Sequence, residues 1–476
     1  MPQYFAPGVY VEEVPSAVQA IAGAGTSTAG FIGIVPNSIT VPENSALVTN
    51  EFVGTGDGAD LTFDLQKFPV NTATGTFQFR VDEVPVAATL SNNVAASKSE
   101  VTLAAAPGIG TKITGDYVGE FLVAAFSPVA AGDVKLCTTF GEFKKFFGDF
   151  STDAGHRKLA HAVFGFFNNG GSRCYVSRAI ADTGIAAILE KYEAIDEIAI
   201  VATPGITDDG IRATIVTHCK VKTEDRFAIF DSDETVETAG ALDLTKLDPK
   251  NAANILPDNS DYAGYYFPWI QVFDKATKLQ NPKGDGLIYV PPSGHVAGVY
   301  ARVDTTRGVH KAPANEVVLG ALGLKYQISK NQQIGLNPQG VNVIRDLNGN
   351  IRIWGARTVG GDANGEFRYV SVRRLMLFLR ESIDEGTQFA VFEPNSPPLW
   401  AKITRNVSAF LTNVWKDGAL FGNSPQEAFY VKCDAELNPP ESRELGRVIT
   451  EIGVAIVKPA EFVIFRISQI AGPASA

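Results

Sequence analysis

The chain has 476 residues, 45% hydrophobic and 20% charged, with 45 Gly, 26 Pro, 4 Cys and 2 Met; at about 150 residues per domain this predicts a soluble multidomain protein whose domains bury their own cores without disulfide or metal staples. Cys137, Cys174, Cys219 and Cys433 form no C-x-x-C pair, which excludes a zinc ribbon or dithiol motif and predicts a reducing folding compartment. A net charge of -11 excludes a nucleic-acid binder that uses its whole surface, because phosphate would be repelled.

The first basic residue is Lys67, so the N-terminus lacks the positive region of a secretory signal, and no apolar run approaches the ~20 residues that span a bilayer. The expectation is a chain made in the cytoplasm and not inserted in a membrane. Residues 1–136 hold 5 basic and 13 acidic side chains. Residues 341–380 hold Arg345, Arg352, Arg357, Arg368, Arg373, Arg374 and Arg380 against Asp346, Asp362 and Glu366. Such a stretch predicts either an acidic partner or pairing with carboxylates of neighbouring domains.

In chain order, residues 1–25 carry Pro at 2, 7 and 15 around Val9, Tyr10 and Val11, an extended arm too poor in apolar residues for a core. A buried strand is expected from Thr26 to about Val35. Residues 51–128 alternate in short apolar runs separated by Gly, Asn and Pro, predicting a β-sandwich inserted into the flanking domain. Strands at 174–180, 198–205 and 226–233 with a helix at 208–222 predict parallel crossovers in an α/β layer.

After residue 345 the pattern becomes α+β. Helices are expected at 368–385, stopped by Gly386, and at 397–417, capped by Ser396 with Pro397 and Pro398 in the first turn. In the second, Leu399, Ile403, Val407, Phe410, Leu411 and Val414 share a face. Strands follow at 428–436, 447–457 and 461–470. The last alternates Val463, Phe465 and Ile467 with Phe462, Ile464 and Arg466, so both faces are largely apolar and the strand requires a partner, such as another chain.

The strongest catalytic candidate is the apolar strand that ends in Asp231-Ser-Asp233-Glu-Thr235. It resembles the first motif of haloacid dehalogenase-type phosphatases, where the first Asp attacks phosphorus and the second moves a proton beside magnesium. The later acidic motif is out of order, since Gly148-Asp149 to Asp153 precedes the strand. Polar residues ending a parallel strand account for the run more simply. Gly54, Gly56 and Gly58 lack the following helix of a dinucleotide site, no P-loop occurs, and His156 and His161 are five apart rather than four.

Ten strings in one order settle the reading: PGVYVEEV (7–14), TSTAGFIG (26–33), VATPGITD (201–208), YYFPWIQV (265–272), VPPSGHVAGVYARVD (290–304), RGVHKAPAN (307–315), IWGARTV (353–359), VRRL (372–375), FEPN (392–395) and PAEFVIF (459–465). With them the chain resembles the contractile tail sheath family of phage tails, R-type pyocins and extracellular contractile injection systems. The likeness is weakest over 51–128.

The resemblance implies an α/β and α+β multidomain fold: an arm (1–25), a discontinuous α/β core (26–50 and 129–345), an outward-facing inserted β-sandwich (51–128) and an α+β C-terminal domain (346–476) with a donor strand. It implies a structural protein, not an enzyme, without cofactor. Its partners would be sheath neighbours, an inner tube, a baseplate and a tail terminator or cap. Copies would stack as rings around the tube in a metastable state and contract to drive it into a target, in a particle assembled in the bacterial cytoplasm. Strand exchange between subunits would use Val9, Tyr10, Val11, Val463, Phe465 and Ile467. Arg373, Arg374, Lys402 and Arg405 are expected to face the tube.

Overall fold

The computed structural model describes residues 21–44, 47–119 and 122–466. It contains two compact units, one running from Gly25 to Arg374 and the other comprising the residues up to Ala24 with those from Leu375 onward.

The first unit is organised by a nine-stranded sheet. Its strands in chain order are β1 (Ala29–Ile34), β2 (Val134–Cys137), β3 (Cys174–Ala179), β4 (Ile200–Ala202), β5 (Phe227–Asp231), β6 (Ala263–Phe267), β7 (Glu316–Val317), β8 (Val341–Leu347) and β9 (Asn350–Ile353). In space they run β2-β3-β1-β4-β5-β6-β8-β9-β7. The six from β3 to β8 are mutually parallel, while β2, β9 and β7 add antiparallel margins. The strand order reverses beside β1, as in doubly wound α/β sheets.

Helices α1 (Phe140–Phe147), α2 (Ala154–Asn168), α3 (Ile185–Tyr192), α4 (Asp209–Thr217), α5 (Lys275–Gln280) and α6 (Ser293–Arg307) belong to this unit. In β1 every residue except the last is buried. Its glycines alternate to opposite faces: a β-carbon at Gly30 would lie 2.6 Å from the Tyr192 ring of α3, and one at Gly33 2.9 Å from Leu159 of α2. Helix α6 sits so close to α2 that a β-carbon at Gly294 would stand 2.2 Å from the Ala162 Cα, and one at Gly298 2.4 Å from the Phe166 carbonyl. Two glycines four apart thus let two backbones meet, which a side chain on either would prevent.

Between β1 and β2 the chain leaves through strand Ile39–Asn44 and returns through its antiparallel partner Leu122–Phe126. The excursion forms a four-stranded antiparallel sheet and a three-stranded one, whose shared core includes Phe79, Leu90, Val101, Leu103, Ile113 and Tyr117. Tyr117 donates its hydroxyl proton to the buried Glu51 carboxylate.

In the second unit the segment Ile21–Ala24 runs beside helix α8, whose full range is Val370–Thr387. Here α7 (Lys330–Leu336) is the helix preceding it in the chain, within the first unit. Ala24 N–H donates to Ser382 Oγ, a β-carbon on Gly23 would touch Phe378, and one on Gly386 would lie 2.4 Å from Ile21. Gly386 therefore makes room for an extended segment inside a helix that continues to Thr387, and does not stop it. Helix α9 (Pro397–Lys416) buries the apolar face read from its spacing, with Trp400 and Asn406 added. The Ser396 hydroxyl donates to the Pro394 carbonyl and provides no side-chain cap.

Other expectations shift for local reasons. The helix at 208–222 is α4 followed by a π-helical turn, His218–Thr223. Residues 341–353 form a β-hairpin that extends the large sheet, so the division between units falls after Arg374 and not at 346. The strands expected at 428–436 and 447–457 contract to β10 (Phe429–Lys432) and β11 (Glu451–Val454). Beyond Lys432, Asp434 accepts the Glu436 and Leu437 N–H groups and turns the chain away.

Candidate assembly interface

Among the described residues, strands β10 and β11 pair antiparallel only with each other, through Phe429↔Val454, Tyr430↔Gly453, Val431↔Ile452 and Lys432↔Glu451. The Tyr430 ring lies over Gly453, where a β-carbon would be 2.1 Å away, and its hydroxyl donates to Glu451 at 2.5 Å. Buried Asn438 accepts the Ile449 N–H at 2.6 Å and donates to the Ile449 and Asp434 carbonyls at 3.0 Å, fixing where β11 begins. An isolated two-stranded sheet is marginal in water and exposes two rows of unpaired backbone groups.

Residues 461–466 lie outside any strand, although their sequence alternates as one. Phe462, Val463, Ile464 and Phe465 are between 69% and 83% exposed. Four consecutive exposed apolar side chains forgo about 1.5–3 kcal/mol each relative to full burial. Val463 and Phe465 are therefore available, whereas Val9, Tyr10, Val11 and Ile467 fall outside the described residues.

The four basic residues expected to face the tube separate into two groups. Arg373 and Arg374 are buried within the first unit. Arg373 pairs with Asp261 between the rings of Tyr262 and Phe367, and burial pulls its guanidinium down to about 10. Arg374 holds Asp304 at 2.6 and 2.9 Å, donates to the Thr26 carbonyl at 2.9 Å and lies over Tyr300. Burial opposes its charge, but the Asp304 carboxylate outweighs burial and leaves it above the usual arginine value. Neither side chain presents a charge to solvent, so both are corrected from tube contacts to internal fasteners. Lys402 is half-buried with its ammonium 4.1 Å from the Phe389 ring centre, and Arg405 is exposed.

Asp231 is no exposed nucleophile. Its buried carboxylate accepts Ser293 N–H at 2.7 Å, Ser293 Oγ–H at 2.6 Å and Gly205 N–H at 3.0 Å, and burial raises it to about 6. It ties the loop after β4 to the first residue of α6, where an anion also complements the helix dipole. Asp233 is half-buried and Thr235 exposed. A cavity of about 240 Å³ opens near the ends of β1 and β4, lined by Ile34, Lys158, Asp182, Gly205 and Asp208, but Lys158 already donates to the Gly205 carbonyl and lies over the Trp269 ring. The phosphatase alternative gains no support from this geometry. Among the described residues no His, Cys, Asp or Glu group is arranged to hold a metal, and no helix is long and apolar enough to cross a membrane.

Sequence reasoning missed Asn438, Asp304 and Asp261. The two aspartates precede the basic stretch by dozens of residues, so only the alternative of pairing with distant carboxylates pointed toward them.

Comparison with known proteins agrees with this architecture. Residues 180–359 match the phage tail sheath protein central domain and residues 362–470 the phage tail sheath C-terminal domain. The chain belongs to the phage tail sheath family. It is 26% identical over 242 residues to the tail sheath protein of Burkholderia phage BcepMu, an alignment that covers 49% of this chain and about half, 48%, of that relative. The fold matches the sheath complex of an extracellular contractile injection system, PVC, in its contracted state with TM-score 0.64 and 23% identity over 98% of this chain and 99% of that one. It also matches the contracted helical sheath of the anti-feeding prophage, with TM-score 0.62 and 22% identity over 98% and 99%.

Proposed function

We propose that this chain is the structural sheath subunit of a contractile phage-tail-like injection particle. Copies polymerise as stacked rings around an inner tube in a metastable extended state, then contract to drive the tube through a target envelope. The observation that carries this reading is the two-stranded β10–β11 sheet, which has no further strand at either edge among the described residues, in the same unit as the exposed apolar segment 462–465. Strand addition from neighbouring subunits satisfies both needs: the arm at Val9, Tyr10 and Val11 and the donor strand at Val463, Phe465 and Ile467 supply backbone pairing and apolar anchors.

Contraction on this account draws on no catalytic step or cofactor, because the second packing of subunits buries more apolar surface than the first. The antiparallel module within 51–128 serves as an outward-facing inserted β-sandwich. Lys402 and Arg405 make weak, salt-sensitive contacts with the tube, suited to a surface that must slip. Baseplate and terminator proteins bound the stack at its ends, and the particle assembles in the bacterial cytoplasm.

The test is polymerisation of Phe465→Asp and of a chain lacking residues 461–476. Both should remain folded by circular dichroism yet form no cylinders under conditions where the parent chain does. Normal cylinders from both variants would refute the strand-exchange account.

A further inference from the structure

The strand register places two cysteines opposite one another. Cys137 closes β2 and Cys174 opens β3, and they are direct partners in the antiparallel pair. Both are free thiols and both side chains are fully buried. Directly opposed residues in such a pair have Cα atoms about 4.5–5.5 Å apart and side chains on the same face, within the roughly 4.4–6.8 Å that a disulfide spans. The other two thiols lack this relation: Cys219 lies in the π-helical turn and Cys433 follows β10.

We propose that Cys137 and Cys174 are a latent cross-strand dithiol that closes to a disulfide when the folded protein meets a small-molecule disulfide such as oxidised glutathione. Access comes through β2, a four-residue strand at the margin of the sheet, where few hydrogen bonds must break for local opening. Cys137 gives up its proton to solvent and attacks the small disulfide, releasing one thiol and leaving a mixed disulfide. Cys174 then loses its proton and attacks the protein-side sulfur, releasing the second thiol. The protein is oxidised by two electrons, and the small disulfide is reduced to two thiols.

The order follows from position, since Cys137 lies on the edge strand and Cys174 on the strand inside it; burial pushes Cys137 up to about 12 and Cys174 well above its ordinary value. These shifts keep both thiols inert in a reducing cytosol and make closure slow. The new bond closes residues 138–173, including α1 and α2, into a loop and staples the edge strand to the sheet. The inference rests on register and not on the sheath reading.

The test is to incubate the native protein with oxidised glutathione, quench in acid, unfold, alkylate with N-ethylmaleimide and measure the mass. Two of the four thiols should escape alkylation, a peptide linking 137 to 174 should appear, and the melting temperature should rise. Cys174→Ser should give no link. Four alkylated thiols, both after native incubation and after incubation in urea just below the unfolding transition, would overturn the inference. So would a link through Cys219 or Cys433.

Discussion

Arg374 and Asp304 form a buried, two-point ion pair, with contacts of 2.6 and 2.9 Å and both side chains at most 5% exposed. Thr26 joins them, its hydroxyl donating to Asp304 at 2.7 Å and its carbonyl accepting from Arg374. The first unit begins at Gly25 and ends at Arg374, so one carboxylate fixes the chain at both of its limits. Removing one member of such a pair strands a buried charge and costs about 3–5 kcal/mol. Asp304→Ala should lose that much stability in urea titration, while a paired replacement of both residues by apolar side chains should lose much less. A loss under about 1 kcal/mol in the single variant would show that the pair is not a fastener.

The α2–α6 contact makes a second prediction. Gly298→Ala must push its methyl toward the Phe166 carbonyl, and Gly298→Val adds two more carbons at the same place. Overpacking of this kind costs about 1–3 kcal/mol, so the melting temperature should fall for Ala and further for Val. Equal or raised stability in both would mean that the helices can separate freely.

Acid should weaken the first unit. Burial depresses His156 and His218 to about 4 and His295 to about 3, from an ordinary 6.5. Above 6.5 neither the folded nor the unfolded chain carries these protons; below it the unfolded chain binds them first, so their contribution is lost as pH falls toward 4 and 3. Asp231, raised to about 6 from 3.8, acts in the opposite sense: its contribution is present below 3.8 and is lost as pH rises through 6. Three groups outweigh one, and urea midpoints should decline from pH 6.5 to 4. With His295→Gln the decline should be shallower; an unchanged slope would contradict the assignment.

Asn438 is the support of β11. Asn438→Ala removes the acceptor of the part-buried Ile449 N–H bond, a loss of about 0.5–1.5 kcal/mol. Hydrogen exchange at 451–454 should accelerate in this variant, and polymerisation should weaken. Unaltered exchange would place the support of β11 elsewhere.

The parallel sheet was legible because β1, β4 and β5 are short apolar runs, and α9 was legible because its buried face repeats at helical spacing. What escaped the sequence was tertiary. Ser396 is a suitable cap residue whose hydroxyl donates to the Pro394 carbonyl and accepts no first-turn N–H, and Gly386 was needed for an approach by Ile21 that no local pattern encodes. Arg373 and Arg374 looked like surface charge because their partners, Asp261 and Asp304, lie 112 and 70 residues away in the chain. For the same reason Asp231 resembled a catalytic motif until its three hydrogen bonds were located. The segment 462–465 carries a strand pattern but belongs to no strand among the described residues, and local alternation alone does not say what a strand pairs with.

The most direct measurement is electron microscopy of the purified full-length chain across a concentration series, beside the variant lacking residues 461–476. The account predicts long, hollow, striated cylinders from the full-length chain above a threshold concentration, and none from the variant. Cylinders of the same form and threshold from both would contradict it.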